Sequence, residues 1–205
     1  IRYSTSHPYD CSEKLINTMA EFTNICNYLH LPVQSGSERI LKLMNRLYSI
    51  DQYLSIMNYA KKTISGIGLS TDIITGFPTE TEEEHQMTIE LMKEVGYDSA
   101  YTFAYSPREN TKAYRMDDDI SQEVKTNRLN EIIYHQRKIS AHIYKDMVGK
   151  KADILLECVS KKSDDYLMGR TDCNKSVIIP KRNHKIGDLV STSIVKSNSA
   201  TLFAE

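Results

Sequence analysis

The densest group of side chains able to bind a small polar ligand lies in LHLPVQSGSERILKLMNR, Leu29 to Arg46. Gln34 can donate and accept hydrogen bonds, Gly36 permits a tight turn, Ser37 can cap a helix, and Arg46 supplies a fixed positive charge. Together they suit a small ligand with hydroxyls and a carboxylate. A Gln-Ser-Gly-Ser stretch also serves simply as a turn, and an Arg late in a helix answers the helix dipole. These residues alone leave both readings open. Asp72, in IGLSTDIITGFP, could hydrogen-bond a ribose or an amino group. A carboxylate in so apolar a strand would cost several kcal/mol unpartnered. Asp72 is therefore expected to be buried and paired, or to face a cavity. Thr5-Ser6-His7-Pro8 adds hydroxyls, and Tyr105-Ser106-Pro107-Arg108 an aromatic ring and a cation.

Other chemistries find no support. There is no Gly-rich phosphate loop, no HExxH and no G-x-S-x-G. His7, His30, His85, His135, His142 and His184 form no ligand-spaced pair with nearby cysteines, and His135 and His142 read as a surface stripe on one helix. Cys11, Cys26, Cys158 and Cys173 lie far apart, without metal-knuckle or redox spacing. Buried thiols in a reducing, cytoplasmic setting are expected. No catalytic residue and no metal ligand is assigned from the sequence. No apolar run approaches the roughly 18 residues that cross a bilayer, and no signal peptide is visible. The chain of 205 residues opens at Ile1 without a Met or lead-in, as a fragment would.

The elements that must hold these groups follow from periodicity and caps. Residues 1–6 read as a strand, and Asp10 as the cap of a helix over 11–22. A strand over 26–33 leads into the helix starting at Ser37. Ser49 with Gln52 and Thr81 with Glu84 make capping boxes for helices over 50–64 and 81–95. Strands are expected at 67–75 and 99–105, and a long helix from Ser121 to about Val148 with a stripe of Ile132, Ile139, Ile143 and Met147. Four strands alternating with helices predict parallel β/α units, each strand running into a polar loop on one rim.

After residue 148 the pattern changes. Short strands at 152–159, 166–171, 176–179, 189–196 and 200–203, with turns between them, predict a small all-β barrel. The chain thus reads as α/β over residues 1–148, followed by a barrel over 149–205. Residues 149–205 hold 10 Lys and Arg against 7 Asp and Glu, net +3, whereas residues 1–148 hold 16 against 20, net −4. Arg170, Lys175, Lys181, Arg182 and Lys185 fall in or near the turns, which fits RNA phosphate binding and equally fits a solvated face.

STSHP, LHLPVQSGS, LKLMNR, STDIITGFPTETEEE and FAYSPRENTKA, in this order, resemble the radical S-adenosylmethionine methylthiotransferases, in particular the MiaB-type tRNA methylthiotransferases. GKKADILLE, MGRTDCNKSVIIP and GDLVSTSIV resemble the TRAM domain that ends them. The resemblance covers essentially the whole chain. It implies the last four units of a partial parallel β/α barrel, then the TRAM barrel. It implies that the strand rim, with Ser6, Gln34, Ser37 and Asp72, binds S-adenosylmethionine. Gln34 and Asp72 would contact the adenosyl ribose or its surroundings, and Arg46 the methionine carboxylate. Ser106 and Arg108 would face the substrate nucleoside, and the TRAM barrel, with Arg170, Lys175, Lys181 and Arg182, would grip the tRNA anticodon stem-loop. The family attaches a methylthio group to isopentenyladenosine beside the anticodon, after a 5′-deoxyadenosyl radical abstracts hydrogen from the base. A relative acts on threonylcarbamoyladenosine, and a non-catalytic RNA-binding fragment is a further alternative. Family members carry two [4Fe-4S] clusters, one on CxxxCxxC, and this sequence has neither cysteine set. The resemblance therefore implies the carboxy-terminal portion of an enzyme, inactive alone and monomeric when complete, with no membrane contact.

Overall fold

The computed structural model describes residues 1–4 and 6–205. Helix α1 spans Glu13–Glu21, strand β1 Tyr28–His30, helix α2 Glu38–Leu43 and helix α3 Ile50–Thr63. Strand β2 (Gly68–Thr75), helix α4 (Glu82–Val95) and strand β3 (Ser99–Ala104) follow, and α5 (Gln122–Lys145) leads to strands β4 (Lys151–Val159), β5 (Tyr166–Thr171), β6 (Ser176–Pro180), β7 (Leu189–Ser197) and β8 (Leu202–Ala204).

β1, β2 and β3 form a parallel sheet in that order. The two-residue period of a strand gives it two faces. Leu29, Leu31, Val33, Leu69 and Ile73 enter one core with Ile16, Tyr53, Met57, Ile89, Met92 and Ile132 of the helices. Tyr28, His30, Ser70, Asp72, Ile74, Tyr101 and Phe103 alternate with the core-facing positions and stand on the other face.

The capping boxes of α3 and α4 form as their residues dictate, and Ser37 and Ser121 cap α2 and α5. Ser12, not Asp10, caps α1, because its hydroxyl accepts from the Leu15 N–H. The strand expected over residues 1–6 is not formed among the described residues, and Thr5 lies outside them. The segment runs beside β1, with the Cys26 N–H on the Ile1 carbonyl and the Ser6 N–H on the His30 carbonyl, so among the described residues the sheet has three strands.

The α5 stripe also differs from expectation. Its buried line is Lys125, Arg128, Ile132, Gln136, Ser140 and Tyr144, spaced at three and four residues, and Ile139 and Ile143 flank it. The polar side chains buried there reach partners on β3's approach: Gln136 donates to the Tyr97 carbonyl at 2.7 Å and Ser140 to the Asp98 carbonyl at 2.7 Å.

β4 to β8 close a barrel in the order β4-β5-β6-β8-β7. Its core is Ile154, Leu156, Leu167, Val177, Ile179, Ile194 and Leu202, and Tyr144 from the last turn of α5 packs into it. The turn between β5 and β6 seats on the amino-terminal ends of the parallel strands. Asp172 accepts the Asn27 N–H at 3.0 Å, and Arg2 donates to the Thr171 carbonyl at 2.9 Å. A Cβ on Gly68 would sit 2.2 Å from the Cys173 carbonyl oxygen, so only glycine allows this approach.

Candidate active site

A cavity of about 730 Å³ opens at the carboxyl ends of β2 and β3, where ligands of parallel sheets bind. It is lined by Gln34, Arg46, Asp72, Ser106 and Arg108, with Phe77 and Tyr105 among its aromatic walls. Its volume falls in the range of small-molecule sites.

Gln34 reaches this rim through a strained backbone. Its φ is 69°, a left-handed value rare outside glycine. The strain is held by β2: the Gln34 N–H donates to the Asp72 carbonyl at 2.8 Å, and the Ile74 N–H to the Gln34 carbonyl at 2.9 Å. The left-handed residue is thus Gln34 and not Gly36. Gly36 serves close approach instead, since a Cβ there would meet the Met87 carbonyl and Thr88 Cα at 2.6 Å.

Arg46 does not end a helix. α2 stops at Leu43, Asn45 takes φ 59°, and the Arg46 N–H returns to the Leu41 carbonyl at 2.8 Å. Asn at such a left-handed turn closes a helix and turns the next side chain out of its path.

Asp72 is both paired and on the cavity wall. His30 Nε2 lies 3.3 Å from its Oδ1. Phe77 and Tyr105 meet edge to face at 5.0 Å. The Tyr105 hydroxyl is buried with no hydrogen-bond partner among the described residues, and burial, with Asp118 nearby, raises its pKa. Lys125 stands 5.3 Å from the Tyr105 ring and holds Asp118 at 2.6 Å, which fixes the loop after β3.

Two expected ligand contacts are not at this cavity. Ser37 is buried; its hydroxyl donates to Glu84 at 2.7 Å and accepts from the Ile40 N–H, so it anchors the loop to α4. Ser6 lies beside β1 and does not line the cavity. The aromatic ring expected from Tyr105 stands on the cavity wall with Asn45, and Phe77 joins them without having carried a ligand expectation. Phe77 follows the Gly76 turn straight from Asp72's strand, the one signal that could have marked it.

On the barrel, Lys181 and Arg182 are exposed in the connection after β6. Arg170 is half-buried and donates to Glu157 at 3.1 Å and Asn174 at 3.3 Å. Lys175, expected at the RNA face, turns inward instead. It is 5% exposed, pairs with Asp98 and faces the parallel sheet, so it offers no contact to RNA.

The four cysteines are free, and no cysteine set comes together among the described residues. Glu82, His85 and Glu131 do converge, with ligand atoms within 4.8 Å. Gln86 bridges both carboxylates and Arg128 lies 3.4 Å from Glu82, so protein groups already answer their charge. Among the described residues, no helix is long and apolar enough to cross a membrane.

The radical SAM superfamily model matches residues 1–92 and the TRAM domain model residues 145–205. A coproporphyrinogen III oxidase from Escherichia coli, titled a radical SAM enzyme, shares the fold with a TM-score of 0.58 at 16% identity, over 82% of this chain and 45% of its own. A radical SAM segment joined to a TRAM domain is thus the class that fold and site define. Three relatives carry the name tRNA-2-methylthio-N(6)-dimethylallyladenosine synthase. That of Bacteroides thetaiotaomicron is 46% identical over 100% of this chain and 45% of its own length. Those of Chloroherpeton thalassium and Christiangramia forsetii are 47% and 48% identical, over 98% and 100% of this chain and 45% and 43% of their own lengths. The chain is thus similar over its whole length to these synthases, with a radical SAM segment followed by a TRAM domain, and it spans less than half the length of these relatives.

Proposed function

We propose that this chain is the cofactor- and RNA-binding portion of a tRNA methylthiotransferase acting on N6-dimethylallyladenosine beside the anticodon, and that its cavity takes S-adenosylmethionine. The observation that carries the reading is the convergence of Gln34, Arg46 and Asp72 on one cavity at the strand ends. Its donor set fits the molecule. Arg46 suits the methionine carboxylate, Asp72 and Gln34 the ribose hydroxyls, and the Phe77–Tyr105 pair a flat base. The unpartnered Tyr105 hydroxyl is a further group ready for a ligand. When bound, S-adenosylmethionine supplies the radical and methyl chemistry of the family. This chain's residues bind and orient it.

The described cysteines do not fit the family's [4Fe-4S] clusters, and no step through a cluster is assigned to this chain. On this reading residues 1–148 carry the cavity and residues 149–205 an RNA-binding barrel, working in the cytoplasm within one monomeric enzyme. Ser106 and Arg108 face the nucleoside from the outer wall of the cavity, and Lys181 and Arg182 meet the anticodon stem-loop.

Isothermal titration calorimetry on the chain tests the cofactor reading. Saturable S-adenosylmethionine binding that is lost in Arg46→Ala and in Asp72→Ala is expected. A folded chain that binds RNA but not S-adenosylmethionine would leave the β/α part as scaffold.

A further inference from the structure

Two hydrogen bonds and one close charged contact run in line beneath the cavity, on the face of the sheet that carries Asp72. The Tyr28 hydroxyl lies 2.5 Å from Ser70 Oγ, and Ser70 Oγ lies 2.7 Å from His30 Nδ1. His30 Nε2 lies 3.3 Å from Asp72 Oδ1, and the Tyr101 ring meets the His30 ring edge to face at 5.7 Å. Tyr28, His30 and Ser70 are buried, and Asp72 alone of the four lines the cavity.

We propose that His30 is a positioning residue for Asp72, clamping one carboxylate oxygen so that the other is presented to the ribose hydroxyls of the cavity ligand. The proposal rests on the cofactor reading above and goes beyond it to a residue that touches no ligand. Donor and acceptor chemistry sets the direction of the chain. An ionised carboxylate only accepts, so Nε2 carries the proton. Nδ1 then accepts from Ser70, and Ser70 accepts from Tyr28. A neutral ring therefore satisfies every member. A cationic ring would leave one of the two hydroxyl protons without an acceptor in this chain, and such a group is costly where it is buried. Ser70 and Tyr28 thus select the tautomer, and the tautomer holds Asp72. Supporting partners of this kind are the means by which a binding carboxylate or imidazole keeps its orientation.

The test combines calorimetry with S-adenosylmethionine and the imidazole ¹⁵N spectrum of the folded chain. His30→Leu weakens binding about tenfold, the order of effect that lost supporting partners have. His30→Gln keeps an N–H donor near the place of Nε2 and retains most of the affinity. In an Asp72→Asn background His30→Leu has no further effect, because its whole action passes through Asp72. Equal losses in His30→Leu and His30→Gln, or an undiminished loss in the Asp72→Asn background, overturn the proposal. Failure of the unaltered chain to bind S-adenosylmethionine overturns the cofactor reading and the role of His30 toward that ligand together. The spectrum reports the clamp independently of ligand. A neutral ring protonated at Nε2 supports it, with both tautomers appearing in Ser70→Ala, and a cationic or Nδ1-protonated ring near neutral pH overturns it.

Discussion

The Lys175 ammonium of the barrel pairs with the Asp98 carboxylate at the foot of β3, and both side chains are buried. The same carboxylate accepts the Leu69 N–H at 2.7 Å through Oδ2, so one residue closes the start of β2 and grips the barrel. Lys175 also donates to Cys173 at 3.4 Å.

Breaking this pair should loosen the barrel from the sheet. Lys175→Met leaves a buried carboxylate uncompensated and is expected to cost about 3–5 kcal/mol in denaturant unfolding. Adding Asp98→Asn recovers much of that loss, since the stranded charge is then gone. Burial works against the Lys175 charge, but Asp98 and Cys173 more than offset it, and its pKa lies above the ordinary 10.5. The stabilisation is full below that ordinary value and is lost as pH rises through the higher folded one. Melting temperature should therefore fall on the alkaline limb above about pH 10 in the wild type, and less steeply in the double variant.

Gly68→Ala tests the same seam from the backbone. The new Cβ meets the Cys173 carbonyl, which cannot rotate away, so the β5–β6 turn must lift. A loss of about 1–3 kcal/mol is expected. Hydrogen exchange should speed at residues 171–175 while the interior of the β/α core stays protected.

Glu84 predicts an acid-side effect. Arg39 grips it with two nitrogens, at 2.9 Å and 2.6 Å, and the Thr81 N–H and the Ser37 hydroxyl also donate to it. The Arg39 hydrogen bonds, joined by these donors and working against burial, hold its carboxyl down at about 2. A depressed carboxyl stabilises the fold above its unfolded pKa of 4.5, and that stability is lost as pH falls toward 2. Glu84→Gln should cost about 1–2 kcal/mol at pH 7, a figure discounted because half of Arg39 faces water, and should flatten the loss between those pH values.

RNA binding should separate the basic residues by burial. Lys181→Ala with Arg182→Ala is expected to weaken anticodon stem-loop binding and to reduce the slope of log affinity against log salt by about 1–2. An unchanged slope in filter binding would remove these two side chains from the interface. Glu157→Ala removes the carboxylate partner of Arg170, leaving Asn174, and should not lower the slope.

Local order was readable from the chain itself. The Ser49–Gln52 and Thr81–Glu84 boxes, the Ser37 cap and the run of β-formers in IGLSTDIIT each depend on residues within a few positions of one another, and they form where those residues dictate. The same holds for the turn-punctuated strands of the barrel. The cost of burying a lone carboxylate left Asp72 either paired or facing a cavity, and the folded chain gives it both.

Tertiary structure decided which of these groups share a space. Ser37 and Gln34 are three residues apart, yet one is spent on Glu84 of α4 and the other lines the cavity, because α4 packs against that loop only in the folded state. Lys175 reads as a surface lysine until its partner, 77 positions earlier in Asp98, comes to meet it. The polar stripe of α5 is buried for the same reason: the carbonyls of Tyr97 and Asp98 that accept from Gln136 and Ser140 arrive from β3's approach, not from the helix. Caps and periodicity act over one turn or one strand, whereas burial and pairing depend on contacts made across the whole fold.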